Sequence, residues 1–525
     1  METAMRRSIP ATILVLGVAL LLNSCSSWQR SSALSEPIAR EKHYSQFRVE
    51  PVRGPALVLR NPWFSGDTLY GRSKAGTRRH GSEYARGDTV AIPLDQITKL
   101  EARRFSGTKT LFLVVGVGAT VALVAAAVAL SNWDGPLGGC CTSGGSGTYS
   151  CPLIFSWDGK GWWLDSGTYA GALMPALART DVDNLDHAEA HDGAVRLRVT
   201  GVPGETEHVD AIRLLAVDHD PLCMIAPDAK GTLHSLGTLR EPATARDFKG
   251  RDMLRLVRTN DELSWESVPT GRDTTREEDI RDGLEIEFPR DPRATEARLV
   301  VDGRYTAWAD YLTGEYVQLH GRETEAWYRD LSSNPSKARA FAAALAREAF
   351  LTISVWDGER WSRQGSLPGA GPELTKRQVV PLDLSIVRGD MVRVRLETAP
   401  ALWMIDRVAL DQEPEAAFSV REIELSEARD LRGRGARAPL VRADGEEFVM
   451  EQQDTLELRF AVDPTPPGRA RSYIAATTGW YRIHTSESGE PDSSLAERLI
   501  REPRAISRLS VARMNDALRS LAAEK

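Results

Sequence analysis

One internal repeat limits what this chain can fold into. Trp157-Asp158-Gly159-Lys160-Gly161-Trp162 returns as Trp356-Asp357-Gly358-Glu359-Arg360-Trp361. Val195-Arg196-Leu197-Arg198-Val199 returns as Val392-Arg393-Val394-Arg395-Leu396, and Val209-Asp210-Ala211-Ile212-Arg213-Leu214 as Ile405-Asp406-Arg407-Val408-Ala409-Leu410. The matches keep their order at spacings of 199, 197 and 196 residues. Two copies of one β domain are therefore expected. Each Asp-Gly pair stands between apolar strands and reads as a two-residue hairpin with a type I′ turn, which needs positive φ at both central residues. The Val-Arg-Leu-Arg-Val strand alternates apolar and arginine. One face then packs a core, and the other meets solvent or something anionic.

The N-terminus narrows the compartment. Arg6 and Arg7 form a positive region, and Ile9 to Leu22 an apolar stretch of signal-peptide length. Leu22-Asn23-Ser24-Cys25 follows. This resembles the bacterial lipobox, with Asn23 a less usual filler. The resemblance implies lipid on the Cys25 thiol, cleavage before it, and acylation of the new amine. Several acyl chains, each CH₂ worth about 0.8 kcal/mol on burial, make a firm anchor. Ser26 after the cysteine resembles the pattern sorted to the outer membrane of a Gram-negative cell. The expected location is the cell envelope, on the periplasmic side.

A second apolar run, Leu111 to Leu130, is uncharged and long enough for a membrane helix. Gly118, Ala122 and Ala126 give it a small-residue face suited to close helix packing with a membrane or envelope partner. Lys99, Arg103, Arg104 and Lys109 precede it, and no Lys or Arg follows until Lys160. That bias places the N-terminal side inside, whereas lipid on Cys25 places it outside. Three readings stay open: membrane entry without translocation of the C-terminal part, a true span, or a packed helix of an exported protein. The C-terminal part is expected outside the cytoplasm in each.

Besides Cys25 the chain has Cys140, Cys141, Cys151 and Cys223. Four cysteines in an exported protein suggest disulfides, with Cys151 bonded to Cys140 or Cys141 in a short loop. A thiolate metal site is the alternative, though no CxxC pair occurs.

Along the chain the expected parts are a signal peptide (1–24), a tether (25–45), a small β unit (46–106) and an apolar helix (108–131). A Gly/Ser/Cys linker (132–150) follows, then β copy 1 (151–225), a connecting region with strands and a helix (226–347) and β copy 2 (348–415). A β-rich extension (416–492) and C-terminal helices (493–525) complete it. The stretch Val90 to Ile97, with Leu100-Glu101-Ala102-Arg103, resembles a small β-barrel seen in bacterial envelope lipoproteins. The first copy is similar to an uncharacterised group of such lipoproteins. It carries Cys151-Pro152, Trp157-Asp158-Gly159, Gly171-Ala172 and Arg179-Thr180-Asp181-Val182-Asp183-Asn184-Leu185. The resemblance brings no known chemistry. Val511, Met514, Leu518 and Leu521 share a helical face and are expected to pack a core.

Charge bears on partners. Ser26 to Thr110 holds 15 Lys+Arg against 8 Asp+Glu within a chain of net charge -7, so the remainder is acidic. The basic stretch suits anionic head groups as well as a solvated surface. Export and the acidic bulk argue against nucleic acid.

Three features offer chemistry. Asp181, Asp183, Asp186, His187 and His191 form a candidate metal cluster, calcium first, set against a plain polar connection. Asp218-His219-Asp220 offers a base, with no serine or cysteine in a recognisable elbow to use it. Trp157, Trp162, Trp356 and Trp361, with Trp163 beside them, offer a sugar platform, set against the covering of a hairpin. The expected fold is mainly β: a small β-barrel-like unit, one apolar helix, two related β-sandwich-like domains and a short helical C-terminus. The expected function is non-enzymatic binding or scaffolding of an envelope component, with no cofactor beyond the candidate calcium. Carbohydrate or peptidoglycan binding stands second, and a hydrolase with an unrecognised site third.

Overall fold

The computed structural model describes residues 26–30, 46–51, 57–65, 68–73, 77–79, 82–84, 89–105 and 152–523, apart from positions 203, 262, 268–274, 277–279, 452–453 and 486–487. Cys25, Cys140, Cys141, Cys151 and the run 111–130 lie outside the described residues. Among the described residues no helix is long and apolar enough to cross a membrane. The chain divides into two compact units, residues 1–125 with 261–263 and the remainder.

The first unit is antiparallel β. Its strands are β1 (Ser26–Arg30), β2 (Gln46–Pro51), β3 (Leu57–Ser65), β4 (Thr68–Ser73), β5 (Thr77–Arg79), β6 (Ser82–Tyr84), β7 (Thr89–Pro93) and β8 (Ile97–Phe105). Six of them form a sheet in the order β1-β8-β2-β3-β4-β7, and β5 pairs with β6. Alternate residues Phe47, Val49, Leu57, Leu59, Val90 and Ile92 turn to one buried side, as a period of two requires. Two expectations are corrected. The sheet is open rather than barrel-like, with β1 and β7 as its edges. The start of the expected tether is a strand, Ser26 to Arg30 pairing with Phe105 to Glu101.

The second unit begins with β9 (Leu153–Trp157), β10 (Trp162–Gly167), β11 (Arg179–Asn184), β12 (Ala194–Thr200) and β13 (Glu205–His219). The chain then passes through β14 (Met224–Pro227), β15 (Leu233–Leu236), β16 (Thr244–Asp247), β17 (Trp265–Glu266), β18 (Asp282–Pro289) and β19 (Glu296–Tyr305). The second copy supplies β20 (Leu351–Trp356), β21 (Trp361–Leu367), β22 (Lys376–Asp383), β23 (Met391–Thr398) and β24 (Trp403–Asp411). Last come β25 (Ser419–Ile423), β26 (Leu425–Asp430), β27 (Phe448–Met450), β28 (Thr455–Ala461) and β29 (Ala470–Ile483).

These strands make two sandwiches. The first packs sheet β10-β9-β12-β28-β26 on sheet β11-β29-β13-β25, with Val195, Leu197, Ile212, Leu214 and Phe460 between them. The second packs β16-β18-β23-β20-β21 on β17-β24-β19-β22 around Trp265, Phe288, Val394 and Trp403.

Neither repeat closes a sandwich with its own next strands. β28 pairs with β12, and β29 lies between β11 and β13. In the other sandwich β18 pairs with β23, and β19 lies between β22 and β24. The completing strands are themselves repeated. Ala245-Arg246-Asp247-Phe248-Lys249-Gly250-Arg251 recurs as Ala428-Arg429-Asp430-Leu431-Arg432-Gly433-Arg434. Asp282-Gly283-Leu284-Glu285-Ile286-Glu287-Phe288 recurs as Asp454-Thr455-Leu456-Glu457-Leu458-Arg459-Phe460. The turns match in detail. Asp247 Oδ1 accepts from the Lys249 and Arg251 N–H groups at 3.1 and 2.8 Å. Asp430 Oδ1 accepts from those of Arg432 and Arg434 at 3.0 and 2.7 Å.

The repeat unit is therefore longer than the three sequence matches, running β9 to β19 and again β20 to β29. Its second halves are exchanged: β16 to β19 complete the second sandwich, and β25 to β29 the first. The expected connecting region and β-rich extension are these exchanged halves.

The Asp-Gly hairpins also differ from expectation. Trp162 pairs with Trp157 and Trp361 with Trp356, so each loop holds four residues. Only the glycines take positive φ, Gly159 at 85° and Gly358 at 107°. Each aspartate instead caps its loop. Asp158 Oδ1 accepts from the Lys160 and Gly161 N–H groups at 2.8 Å, and Asp357 Oδ1 from those of Glu359 and Arg360. Asp158→Ala is expected to cost about 1–3 kcal/mol in urea unfolding, since it strands two backbone donors; Asp158→Asn keeps an acceptor and should lose less than half of that.

Hairpin β14–β15 is a wedge between the sandwiches. Ile225 packs on Val217 and Ile474 of the first. Ala226 and Leu236 pack on Val300, Val379 and Ala409 of the second. Sheets β11-β29-β13-β25 and β17-β24-β19-β22 thus lie inside the unit, and the other two sheets face outward on opposite sides.

Helices α1 (Ala307–Gln318), α2 (Thr324–Ser333) and α3 (Pro335–Glu348) follow β19, and α4 (Ser493–Arg501) and α5 (Ala505–Ala523) end the chain. Thr306 caps α1, accepting from the Ala309 N–H, and Asn334 caps α3. Val317, Tyr328, Leu331 and Phe341 pack against Tyr169, Met174 and Tyr481 of the first sandwich. Of the expected C-terminal stripe, Val511 is buried and Met514 half-buried; the side chains of Leu518 and Leu521 lie outside what is described.

Candidate functional site

The outward sheets carry the same side-chain array twice. In the first sandwich the Trp157 and Trp162 rings lie 5.4 Å apart at 59°. The Arg196 guanidinium lies 5.3 Å from the Trp157 ring and 5.7 Å from that of Trp162, and Arg198 lies 4.3 Å from Trp162. In the second sandwich Trp356 and Trp361 lie 5.3 Å apart at 62°. Arg393 is 5.3 and 5.6 Å from these rings, and Arg395 is 4.3 Å from Trp361. A glutamate from the exchanged half holds each inner arginine. Glu457 Oε1 accepts from Arg198 at 2.5 Å, and Glu285 Oε1 from Arg395 at 2.5 Å.

The cause lies in register. β12 and β23 alternate apolar and arginine, so Val195, Leu197 and Val199 enter the core while Arg196 and Arg198 stand outside. The adjacent hairpin ends in two tryptophans on that outer side. Cation–π contact of this kind is worth about 0.5–2 kcal/mol and fixes the guanidinium plane. The indole faces expected as sugar platforms are thus covered by arginine, and the groups presented outward are cationic.

The five-residue candidate metal cluster is dispersed. The Lys376 Nζ donates to Asp181 Oδ1 at 2.8 Å and lies 3.9 Å from Asp183 Oδ2. Asp186 faces Arg377 at 3.6 Å. The His187 Nδ1 lies 2.6 Å from Asp165 Oδ1, with its ring stacked on Trp163. The His191 ring lies against Gly159, where any Cβ would collide with it. Among the described residues no group of three or more His, Cys, Asp or Glu side chains is arranged to hold a metal ion.

Lys376 is the residue that sequence reasoning missed. It sits buried at the junction of the two sandwiches, reaching from β22 to β11. Burial works against its ammonium, but Asp181 and Asp183 outweigh burial and raise its pKa. Burial pushes the Asp183 carboxyl up to about 7 despite Lys376. Burial also opposes ionisation of Asp181, yet Lys376 and Arg179 hold it below the usual range. The signal was available: two aspartates at i and i+2 on one strand share a face and need a cation.

Around His219 the structure adds a serine. Its Nδ1 lies 2.9 Å from the Asp220 carbonyl, and its Nε2 lies 2.9 Å from Ser472 Oγ. Asp218 is taken by Arg471 at 2.6 and 2.9 Å. The pair orients an imidazole toward a hydroxyl, but Ser472 lies within strand β29 and not on the sharp turn that exposes a nucleophile. Cys223 is a free thiol, half-buried, with its pKa raised by burial and by Asp220.

No family model matches this chain, and the search of curated proteins finds no matching relative.

Proposed function

We propose that this chain is a lipid-anchored envelope protein that binds or scaffolds an envelope component without chemistry of its own. One observation carries the reading: the same arginine–tryptophan face is built twice on a frame made rigid by strand exchange. A catalytic cleft needs one converging set of groups, whereas a duplicated flat face suits presentation to a partner. Anchoring rests on the lipobox at Cys25. β1 begins at Ser26, so a lipid there would hold the first sheet against the bilayer with almost no slack.

Fractionation tests the anchoring. Wild type is expected in the membrane fraction and Cys25→Ala in the soluble periplasmic fraction. Both should resist protease in whole cells and be cut once the outer barrier opens. Retention of Cys25→Ala in the membrane would transfer the anchor to 111–130. Protection of the C-terminal half in intact spheroplasts would overturn the extracytoplasmic placement.

A hydrolase reading is favoured by one contact, Ser472 with His219. Labelling of Ser472 by a fluorophosphonate probe, lost in His219→Ala, would replace the scaffold reading.

A further inference from the structure

We infer that each outward face binds a linear acidic polysaccharide, and that the two faces, turned to opposite sides of one rigid unit, bridge two such chains. This rests on the scaffold reading and names its ligand class.

Charge is the first argument. The chain is net acidic at -7, yet both faces are cationic. The first carries Arg196, Arg198, Arg429 and Arg459 against Glu427 and Glu457, side by side in strand register. The second carries Arg246, Arg363, Arg393 and Arg395 against Glu285 and Glu287, with Glu397 at the end of β23 taken by Arg281. Glu457, Glu285 and Glu287 engage Arg198, Arg393 and Arg395, while Glu427 stands exposed in register with Arg459 without an ion pair among the described residues. Among the described residues Arg196, Arg429, Arg459, Arg246 and Arg363 have no carboxylate at ion-pair distance, and all five are exposed. Three arginines of each face are repeat equivalents, Arg196, Arg198 and Arg429 matching Arg393, Arg395 and Arg246, while Arg459 and Arg363 are particular to their own copies.

Geometry selects the class of anion. The arginines run across neighbouring strands, which lie about 4.8 Å apart, a step close to the length of one sugar ring. Guanidinium groups pair bidentately with carboxylates, and those over the indoles are held in plane. A membrane surface fits less well. It would need apolar groups to insert, and of the exposed large apolar side chains Leu222, Val420, Leu431 and Val449 only Leu431, at the end of β26, stands on a charged face. Val420 and Val449 belong to strands that pair with β13 of the inner sheet, and Leu222 to the turn after β13.

The two faces give the bridging. Hairpin β14–β15 joins the inner sheets, so the charged sheets point apart. One protein molecule then holds two separate chains, a non-covalent cross-link.

The test uses full-length protein in detergent with long-chain polygalacturonate at low salt. Wild type should cross-link the polymer, read as strong light scattering that added salt reverses. Arg429→Gln with Arg459→Gln removes the first face, and Arg246→Gln with Arg363→Gln the second. These four lie outside the tryptophan ladders, so unfolding midpoints should stay put. Each double variant should still bind the polymer at half the wild-type stoichiometry but give no scattering. The fourfold variant should bind at least tenfold more weakly. Scattering by either double variant equal to wild type would overturn the bridge. Wild-type binding to neutral amylose, to phosphatidylglycerol vesicles or to duplex DNA as tight as to polygalacturonate would overturn the ligand class. Cys25 fractionation is unaffected by either result, so failure here is separable from failure of the anchored-scaffold reading.

Discussion

Lys376→Met is expected to destabilise the second unit by about 3–5 kcal/mol, because it removes the ammonium that sits between the buried Asp183 and the half-buried Asp181. Lys376 and Asp183 are each more than nine-tenths buried, and Lys376 reaches Asp181 across the sandwich junction at 2.8 Å. The loss has a definite pH signature. In the wild type Asp181 has a lowered pKa, so its stabilisation is present above the unfolded value near 4 and is lost as pH falls through the folded value. Asp183 is raised to about 7. Its ionisation therefore costs stability progressively between about pH 4 and pH 7, at roughly 1.4 kcal/mol for each pH unit. Without Lys376 both carboxyls hold their protons to higher pH. The deficit of Lys376→Met should then be larger at pH 8 than at pH 5. Asp183→Asn should move the opposite way, gaining on wild type as pH rises from 5 to 8. Guanidinium unfolding at the two pH values decides it. A loss below about 1 kcal/mol that ignores pH would show the cluster to be hydrated and weak.

The second large effect concerns strand exchange. A chain ending at Glu415 keeps the whole first repeat and every strand of the second sandwich. It lacks β25 to β29. β12 then loses β28, and β11 and β13 both lose β29 between them. The first sandwich should fail to form. Limited proteolysis should destroy 153–219 and leave a resistant fragment containing 244–411. That fragment should itself be less stable, since Ser507 and Ser510 of α5 hydrogen-bond to Glu348 and to the Pro400 carbonyl. Residues 416–525 supplied as a separate chain should restore protection of 153–219. Protection of 153–219 in the truncated chain alone would mean that the first repeat closes on its own strands.

Much of this architecture was legible in the sequence. The repeated Trp-Asp-Gly and Val-Arg-x-Arg segments marked two β domains, and arginine at alternate positions marked their outward faces. What escaped was non-local. The Asp282 and Asp454 segments match at a spacing of 172 residues, and those at Ala245 and Ala428 at 183. Neither agrees with 196–199, because the connections between corresponding segments are shorter in the second repeat than in the first. Periodicity within a strand says nothing about its partner. Arg196 over Trp157 therefore became visible only with the register of β12 on β9. Helix α1 was hidden by the small and aromatic residues in Ala307-Trp308-Ala309-Asp310-Tyr311, though Thr306 is an ordinary cap. Ser26 to Arg30 read as tether because an edge strand needs no apolar run. Asp302-Gly303 has the composition of a turn but forms a bulge within β19.

The exchange also orders events in time. A chain leaving a ribosome or a translocation pore delivers 153–219 first, with the edge of β12 and the gap between β11 and β13 unfilled. The second sandwich, contiguous from 244 to 411, is complete well before β29 emerges. Of the two sandwiches, the one that starts to emerge first is thus the last to close, through contacts more than two hundred residues apart, and such non-local closure is slow. During that interval its open edges invite pairing with other chains. A holdase that shields these edges, or slow delivery of the chain, would therefore matter more to this protein's yield than to that of a chain whose repeats each fold alone.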